Sequence, residues 1–271
     1  MKSIFIKIFL LLPLLYICGL IFLYSFQKFL VYTPGSTTST PDKAGLLHFT
    51  RHSLKTPDGF KLDTWFRAPS ADGNVILFFH GKKDTLHVAT PVIRHLSTLA
   101  DGLLVFDYRG FGISEGTPDK EGIYTDAETI FQWLKQQNIP DERIVVIGHS
   151  LGSAPAVRIA AQHPVKALVL LAPYSSMADV VSTLLPFVPV RFLLTENFEP
   201  IKDISSVTAP ILIMHGTNDR LIPISLGQQL FEAARFPKQF VSLENTGHKF
   251  PFYDGLWITH LRDFLGRKTL P

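Results

Sequence analysis

Short apolar runs alternate with amphipathic segments along most of the chain after residue 46. Two early runs, about Leu47 to Leu54 and Phe60 to Phe66, flank a stretch that contains proline and glycine, which predicts an antiparallel hairpin. The later runs are almost wholly apolar, as is typical of strands covered on both faces of a parallel sheet. These predicted strands are Val75 to Phe79, Leu103 to Phe106, Ile144 to Ile147, Ala167 to Leu171, Ile211 to His215 and Gln239 to Leu243.

Segments with a helical period separate these strands. The predicted helices are Pro91 to Ala100, Ile123 to Gln137, Leu151 to Gln162, Ile224 to Ala234 and Tyr253 to Gly266. Strands that alternate with helices favour an α/β fold, here a mostly parallel sheet of eight strands with helices on both faces. We therefore expect one domain over residues 47–271, which is large enough to bury a single core.

An apolar insertion, residues 174–207, interrupts the alternation between two of the predicted strands. It is rich in leucine, valine and phenylalanine and contains three prolines, so we expect short helices that cap a pocket. An apolar cap indicates an acyl or otherwise hydrophobic substrate. A small lid that packs on the domain whatever the substrate would have the same composition.

The N-terminal segment is predicted to be a membrane anchor over residues 1–30, followed by a linker over residues 31–46 rich in Thr, Ser, Pro and Gly. No charge occurs from Ile8 to Phe26, which as a helix would be about 28 Å long, close to the roughly 30 Å of a bilayer core. A cleaved signal peptide is an alternative, but the run is long for one and no A-x-A-like site follows it. A lipoprotein signal at Cys18 is another, although the bulky Ile17 departs from the usual pattern.

The charges around this segment predict its orientation. Lys2 and Lys7 precede it and Lys28 follows it, so the short tail is expected in the cytoplasm. The globular domain would then lie on the non-cytoplasmic side, in a periplasm, a lumen or the exterior.

The composition excludes several classes of partner and site. The net charge is +3 with both signs interspersed, which argues against a nucleic-acid partner. Cys18 is the single cysteine, so no internal disulfide and no Cys-x-x-Cys metal site can form. The sequence has no metal-ligand cluster and no phosphate-binding glycine loop, and we expect neither a metal nor a cofactor. Nothing in it predicts the oligomeric state.

The candidate chemistry centres on Gly148-His-Ser-Leu-Gly152, which lies between an apolar strand and a helical pattern. A G-x-S-x-G sequence in this context places the serine on a sharp, strained turn, with glycines where neighbouring backbones crowd it. Ser150 is therefore the candidate nucleophile, and it needs a base. Asp219 and His248 also follow predicted strands, and the carboxyl ends of parallel strands meet at one edge of a sheet.

Other residues compete for these two roles. Asp203 and Asp179 are alternative acids that lie nearer the preceding strand. Of the other histidines, His80 and His149 are expected to shape loops, His215 to form a structural hydrogen bond, and His163 and His260 to lie at the surface or in the core. Asp107 and Arg109 are interpreted as a structural pair that braces a loop.

These motifs together resemble those of the α/β-hydrolase superfamily. They are FFHG at 78–81, DYRGFGISEG at 107–116, GHSLG at 148–152, HGTND at 215–219 and GH at 247–248. The chain is similar to the membrane-anchored serine hydrolases of that superfamily that include protein depalmitoylases. This resemblance implies a Ser150–His248–Asp219 triad and an oxyanion hole formed by the backbone N–H groups of Leu151 and Lys82. Lys82 and Lys83 depart from the Asn and small residue typical of that branch, and could either affect substrate access or be solvated loop lysines.

The expected function is therefore a membrane-tethered serine hydrolase that cleaves an ester or thioester, with a small-molecule or lipid-like acyl substrate. The same motifs would serve a peptidase or amidase, or an acyltransferase in which an alcohol replaces water. A catalytically silent binding module is the alternative outside enzymes, and it would have no need of all three side chains.

Overall fold

The computed structural model describes residues 2–253 and 255–266, with the side chains of residues 11–252 and 255–266. Its strands are β1 (Thr50–Lys55), β2 (Lys61–Arg67), β3 (Val75–Phe79), β4 (Gly102–Phe106), β5 (Ile144–His149), β6 (Ala167–Leu171), β7 (Ile211–Gly216) and β8 (Lys238–Leu243). Its α-helices are α1 (Lys2–Val31), α2 (Thr90–Leu96), α3 (Lys120–Gln136), α4 (Ser153–Gln162), α5 (Met177–Leu184), α6 (Val190–Leu193), α7 (Pro200–Asp203), α8 (Ile224–Ala233), α9 (Phe250–Tyr253) and α10 (Leu256–Gly266).

The eight strands of the described chain form one sheet in the order β1-β2-β4-β3-β5-β6-β7-β8. The pairs β1–β2 and β2–β4 are antiparallel, and every other neighbouring pair is parallel. This confirms the predicted hairpin and the mostly parallel sheet of eight strands. The carboxyl ends of β5, β7 and β8 consequently lie at the same edge.

Helices cover both faces of the sheet, and successive residues of one strand alternate between the two. In β3, Leu77 packs in the core beside α3, α4 and α8, whereas Ile76 and Phe78 pack in the core beside α2 and α10. Because both faces are buried, the strand needs apolar residues at every position. The uninterrupted run Val75–Phe79 is the result.

Element boundaries differ from the prediction in a few places. The first strand begins at Thr50 rather than Leu47, whose side chain is 78% exposed. Helix α2 ends at Leu96 instead of continuing to residue 100. The helix predicted from Tyr253 to Gly266 is two helices, and Asp254 between them lies outside the described residues, as do residues 267–271 of the predicted domain.

The first helix is long, and the protein leaves most of its side chains from residue 11 onward uncovered. One segment, Leu11–Val31, is long and apolar enough to cross a membrane, and only 11% of its most apolar window is buried. The end of the helix is different, because Val31 and the following Tyr32 are 1% and 2% exposed and belong to the core of the domain. The segment after it has no helix or strand until β1, yet Ala44 and Leu46 within it are buried.

Candidate active site

Ser150 lies directly after β5, in a 3-10 turn over Ser150–Gly152, and α4 begins at Ser153. Its φ of 53° is in the left-handed region, which confirms the predicted strain. The flanking glycines are required by close approaches: a Cβ at Gly152 would overlap the backbone oxygen of Phe79, and one at Gly148 would lie 2.5 Å from the Gly152 carbonyl oxygen. The turn therefore holds the serine hydroxyl at the carboxyl edge of the sheet.

The structure brings the three predicted side chains together. His248 Nε2 lies 2.9 Å from Ser150 Oγ, and His248 Nδ1 lies 2.7 Å from Asp219 Oδ2. The imidazole thus bridges a hydroxyl and a carboxylate, and the three side chains come from loops after three different strands. An Nδ1–H that donates to the carboxylate leaves the Nε2 lone pair facing the serine, which is the tautomer that a general base needs.

Asp219 is held rigidly by its own loop. Its Oδ1 accepts hydrogen bonds from the backbone N–H groups of Leu221 and Ile222, both at 2.9 Å. The Nε2 of His215 lies 3.3 Å from Asp219 Oδ2 and donates to the Ile222 carbonyl oxygen at 2.9 Å. His215 makes the structural hydrogen bond predicted for it, but its position against Asp219 was not foreseen. The spacing of four residues from His215 to Asp219 around the β7 turn was the available signal.

Burial and hydrogen bonding determine the charges of these groups. Burial raises the pKa of Asp219, but hydrogen bonds from His215 and His248 outweigh it and keep the carboxyl well below its ordinary range. Burial lowers the pKa of His248, and the Asp219 carboxylate only partly opposes this. Near neutral pH the site therefore pairs a charged aspartate with a neutral histidine, as general-base chemistry requires.

The alternative acids are engaged elsewhere. Asp203 pairs with Arg158, with 2.8 Å between Oδ2 and Nε. Asp179 accepts hydrogen bonds from Ser175 and from Arg191, and its backbone N–H donates to the hydroxyl of Ser176, which caps the start of α5. These contacts leave Asp219 as the carboxylate on the histidine.

The predicted pairing of Asp107 with Arg109 is wrong. The Arg109 guanidinium instead contacts the buried Asp126 at 2.8 Å and Asp58 at 2.7 Å. Asp107 accepts a hydrogen bond from the backbone N–H of Leu86 at 2.8 Å. Two residues of separation in sequence suggested a pair, whereas the loop directs the two side chains to different partners.

Lys82 follows β3 and borders the same cavity as Ser150 and Leu151. The N–H groups of Leu151 and Lys82 as oxyanion donors stay a prediction. The Lys82 side chain does not reach freely into solvent at the cavity mouth, because its Nζ donates to the Leu30 carbonyl oxygen of α1 at 3.0 Å. Lys83 is exposed.

A cavity of about 280 Å³ opens beside Ser150 and has almost entirely apolar walls. Its walls come from the insertion, from the loop after Asp219 and from the end of α1; they include Leu30, Val31, Tyr174, Met177, Val180, Val181, Leu184, Leu185, Leu221 and Ile222. The insertion thus forms the short helices predicted for it, and α5 lies over the cavity. A larger groove, about 620 Å³, runs between α3, α4 and the β1–β2 turn; most of the residues that line it are polar, and Ser150 is not among them.

The end of α1 is fixed to the insertion by polar contacts that sequence reasoning missed. Gln27 Oε1 accepts from the backbone N–H groups of Thr195 at 2.7 Å and Glu196 at 3.3 Å. The Tyr32 hydroxyl donates to the buried Glu196 carboxylate at 2.7 Å, and Lys28 Nζ lies 3.8 Å from it. No local pattern could reveal these contacts, because the partners are more than 160 residues apart.

Among residues 2–253 and 255–266, no group of three or more His, Cys, Asp or Glu side chains could hold a metal ion.

Comparison with known proteins gives the same fold. Residues 74–198 match the family model described as alpha/beta hydrolase fold. The uncharacterized protein Rv2307c of Mycobacterium tuberculosis is 34% identical over 252 residues, covering 91% of this chain and 89% of the relative. The alpha/beta hydrolase domain-containing protein WAV2 of Arabidopsis thaliana is 29% identical over 276 residues, covering 91% and 90%.

Among solved structures, the Pyrococcus furiosus esterase Pf2001 superimposes with a TM-score of 0.70 at 20% identity, covering 86% of this chain and 97% of that one. The sheet topology, the turn at Ser150 and the similar proteins all indicate the same fold family. The chain belongs to the α/β-hydrolase superfamily.

Proposed function

We propose that this protein is a serine hydrolase that cleaves the carboxylic ester or thioester of an acyl or lipid-like substrate. One observation carries the proposal: His248 lies between Asp219 and Ser150 at hydrogen-bond distance from both. The fold, which is shared with an esterase, supports a hydrolase.

The proposed reaction proceeds in two halves. Ser150 Oγ attacks the acyl carbonyl carbon while His248 Nε2 takes the hydroxyl proton, and Asp219 stabilises the imidazolium that forms. The leaving alcohol or thiol then receives this proton from His248, and an acyl-enzyme remains. Water, deprotonated by the same histidine, releases the acid and restores the serine. Backbone N–H groups of Leu151 and Lys82 would stabilise the oxyanion, by about 3 kcal/mol each in comparable enzymes.

The substrate class follows from the cavity beside Ser150. Apolar side chains form most of its walls, many of them from α1 and α5, so little in it could satisfy a charged or strongly polar group. An acyl chain fits this chemistry, and its carbonyl would reach the serine at the polar end of the cavity. The lining gives no reason to prefer an oxygen over a sulfur leaving group.

We also propose that α1 anchors the protein in a membrane, with the catalytic domain on the non-cytoplasmic side. The exposed apolar side chains of the helix support the anchor, among them Leu12, Phe22 and Phe29, which are 62%, 61% and 73% exposed. Sodium carbonate extraction of membranes distinguishes an integral anchor, and the intact mass of the purified chain distinguishes an uncleaved one. Reporter domains fused to the C-terminus, active on only one side of the membrane, test the orientation.

Labelling of the full chain in detergent with a fluorophosphonate probe tests the hydrolase itself. We expect the wild type to be labelled and to hydrolyse p-nitrophenyl and thio-esters, and Ser150→Ala to lose both properties. Ser153→Ala is the matched control, because Ser153 is a buried serine in the adjoining helix whose hydroxyl has no hydrogen-bond partner among the described residues.

His248→Gln should lose turnover as well, because the serine would then lack its base. A folded wild type that is neither labelled nor active on any ester would overturn the proposal in favour of a binding module. Equal loss of labelling in Ser150→Ala and Ser153→Ala would point to disrupted folding of the turn instead of a nucleophile.

A further inference from the structure

The last turn of α1 is at once the end of a candidate membrane span and a wall of the cavity beside Ser150. Leu30 and Val31 line this cavity together with the serine. Over residues 11–29 the helix is mostly apolar, and most of its side chains are exposed. The same helix therefore leads from a surface suited to lipid directly to the candidate nucleophile.

This arrangement is fixed, because several contacts hold the helix end on the domain. Gln27 and Tyr32 bind the 195–196 segment, and Lys82 Nζ donates to the Leu30 carbonyl oxygen. Farther along the helix, the Tyr16 hydroxyl donates to the Phe187 carbonyl oxygen at 2.8 Å. Helix α1 and the insertion thus form two sides of one groove.

A second, smaller cavity of about 30 Å³ continues this groove away from the serine. It shares Leu30, Val181 and Leu185 with the first cavity and extends to Leu23 and Gln27. Leu23 precedes Leu30 by two helical turns, a distance of about 10 Å along the axis. The two cavities therefore lie in line along α1, separated by three shared apolar side chains.

We infer that this groove is the acyl-chain site, that the chain of a membrane lipid enters it along α1, and that Leu30, Val181 and Leu185 limit the chain length accepted. This inference rests on the proposed function for the position of the scissile carbonyl, which lies at Ser150. The chain then runs toward Leu23, so that its far end points back to the membrane-facing part of the helix. The main cavity, about 280 Å³, is slightly smaller than the range for small-molecule sites, about 300–1,000 Å³. A longer acyl chain must therefore pass Leu30, Val181 and Leu185 to reach the smaller cavity.

Leu30 is the residue to vary, because it belongs to both cavities and to α1. Leu30→Ala joins the cavities and should raise kcat/KM for a p-nitrophenyl palmitate relative to the butyrate by about tenfold, since apolar groups in such pockets discriminate by roughly 10–200-fold. Leu30→Phe closes the passage and should lower the same ratio by about tenfold. Phe29→Ala is the matched control, because Phe29 is 73% exposed and lines neither cavity; its ratio should equal that of the wild type.

A second readout does not depend on turnover. The full-length Ser150→Ala chain in detergent is irradiated with a palmitoyl probe that carries a diazirine near its terminal methyl, and the cross-linked peptides are identified by mass spectrometry. We expect cross-links on Val181 and Leu185, or on Leu194, which lines the smaller cavity, and their loss when Leu30→Phe is added. Cross-links confined to the exposed face of α1 would overturn the inference.

The two readouts separate the two proposals. If the wild type hydrolyses esters but the Leu30 variants keep its chain-length ratio and the insertion is not cross-linked, the acyl-chain site is wrong and the hydrolase stands. If no ester is hydrolysed but the insertion is cross-linked in a Leu30-dependent way, the lipid-binding groove stands and the hydrolase is wrong.

Discussion

Tyr32→Phe should destabilise the protein measurably, because the hydroxyl of Tyr32 joins the N-terminal segment to the insertion. Burial and the hydrogen bond to Glu196 raise the pKa of Tyr32 far above its usual range, so the phenol stays a neutral donor at 2.7 Å from the carboxylate. A hydrogen bond to a charged group contributes about 1.5–3 kcal/mol. The variant keeps the ring and its edge-on contact with Phe198, so we expect a loss of about 2 kcal/mol.

In a folding unit of this size, each 1 kcal/mol changes Tm by about 2–4 °C, so the variant should unfold about 4–8 °C below the wild type. Thermal unfolding of the full chain in detergent measures this difference. Tyr24→Phe is the control on the same helix, because the Tyr24 side chain is 52% exposed, and its Tm should stay within about 1 °C of the wild type. Equal Tm values for the two variants would refute the reasoning and would indicate that the segment before β1 is a loose tether.

Three further predictions concern the site. Asp219→Asn should lower kcat by about 10⁴-fold, since the amide no longer selects the histidine tautomer, while Asp203→Asn should leave kcat within about twofold as measured with p-nitrophenyl esters. Because burial lowers the pKa of His248, kcat/KM should fall only as the pH drops through a value below the ordinary 6.5, and a midpoint at or above 6.5 in a pH–rate profile would contradict this. Gly152→Ala should abolish recovery of folded full chain in detergent, because its Cβ would overlap a backbone oxygen, whereas Gly255→Ala has open space around it and should fold normally.

Much of the fold could be predicted from the sequence because the sheet is buried on both faces. A strand such as Val75–Phe79 needs apolar residues throughout, and this run is visible without any structure. The same local signal located the positions after the strands, and so Ser150, Asp219 and His248. Element boundaries were less predictable where the chain leaves the sheet, as at the exposed Leu47.

Residues that act through distant partners could not be predicted in the same way. Arg109 lies two positions from Asp107, but its guanidinium reaches Asp58 and Asp126, which only the folded loop brings within range. For Lys82 the sequence left open an effect on substrate access and a solvated loop position, and it could not predict that the ammonium group donates to a carbonyl of α1. The direction of the side chains and pairing between distant segments decide such contacts, and neither produces a periodic pattern in the sequence.

The N-terminal helix illustrates this difference most clearly. Its composition indicates a membrane span, because a long uncharged run is a property of the segment alone. Its contribution to the cavity depends instead on Gln27 and Tyr32 meeting a segment more than 160 residues away, with Glu196 buried between elements. A buried carboxylate with a tyrosine, a backbone N–H and a lysine around it holds a defined geometry, since unpaired it would cost several kcal/mol. The polar residues at the end of α1 therefore determine where the helix lies, and through Leu30 they also determine the shape of the cavity that Ser150 faces.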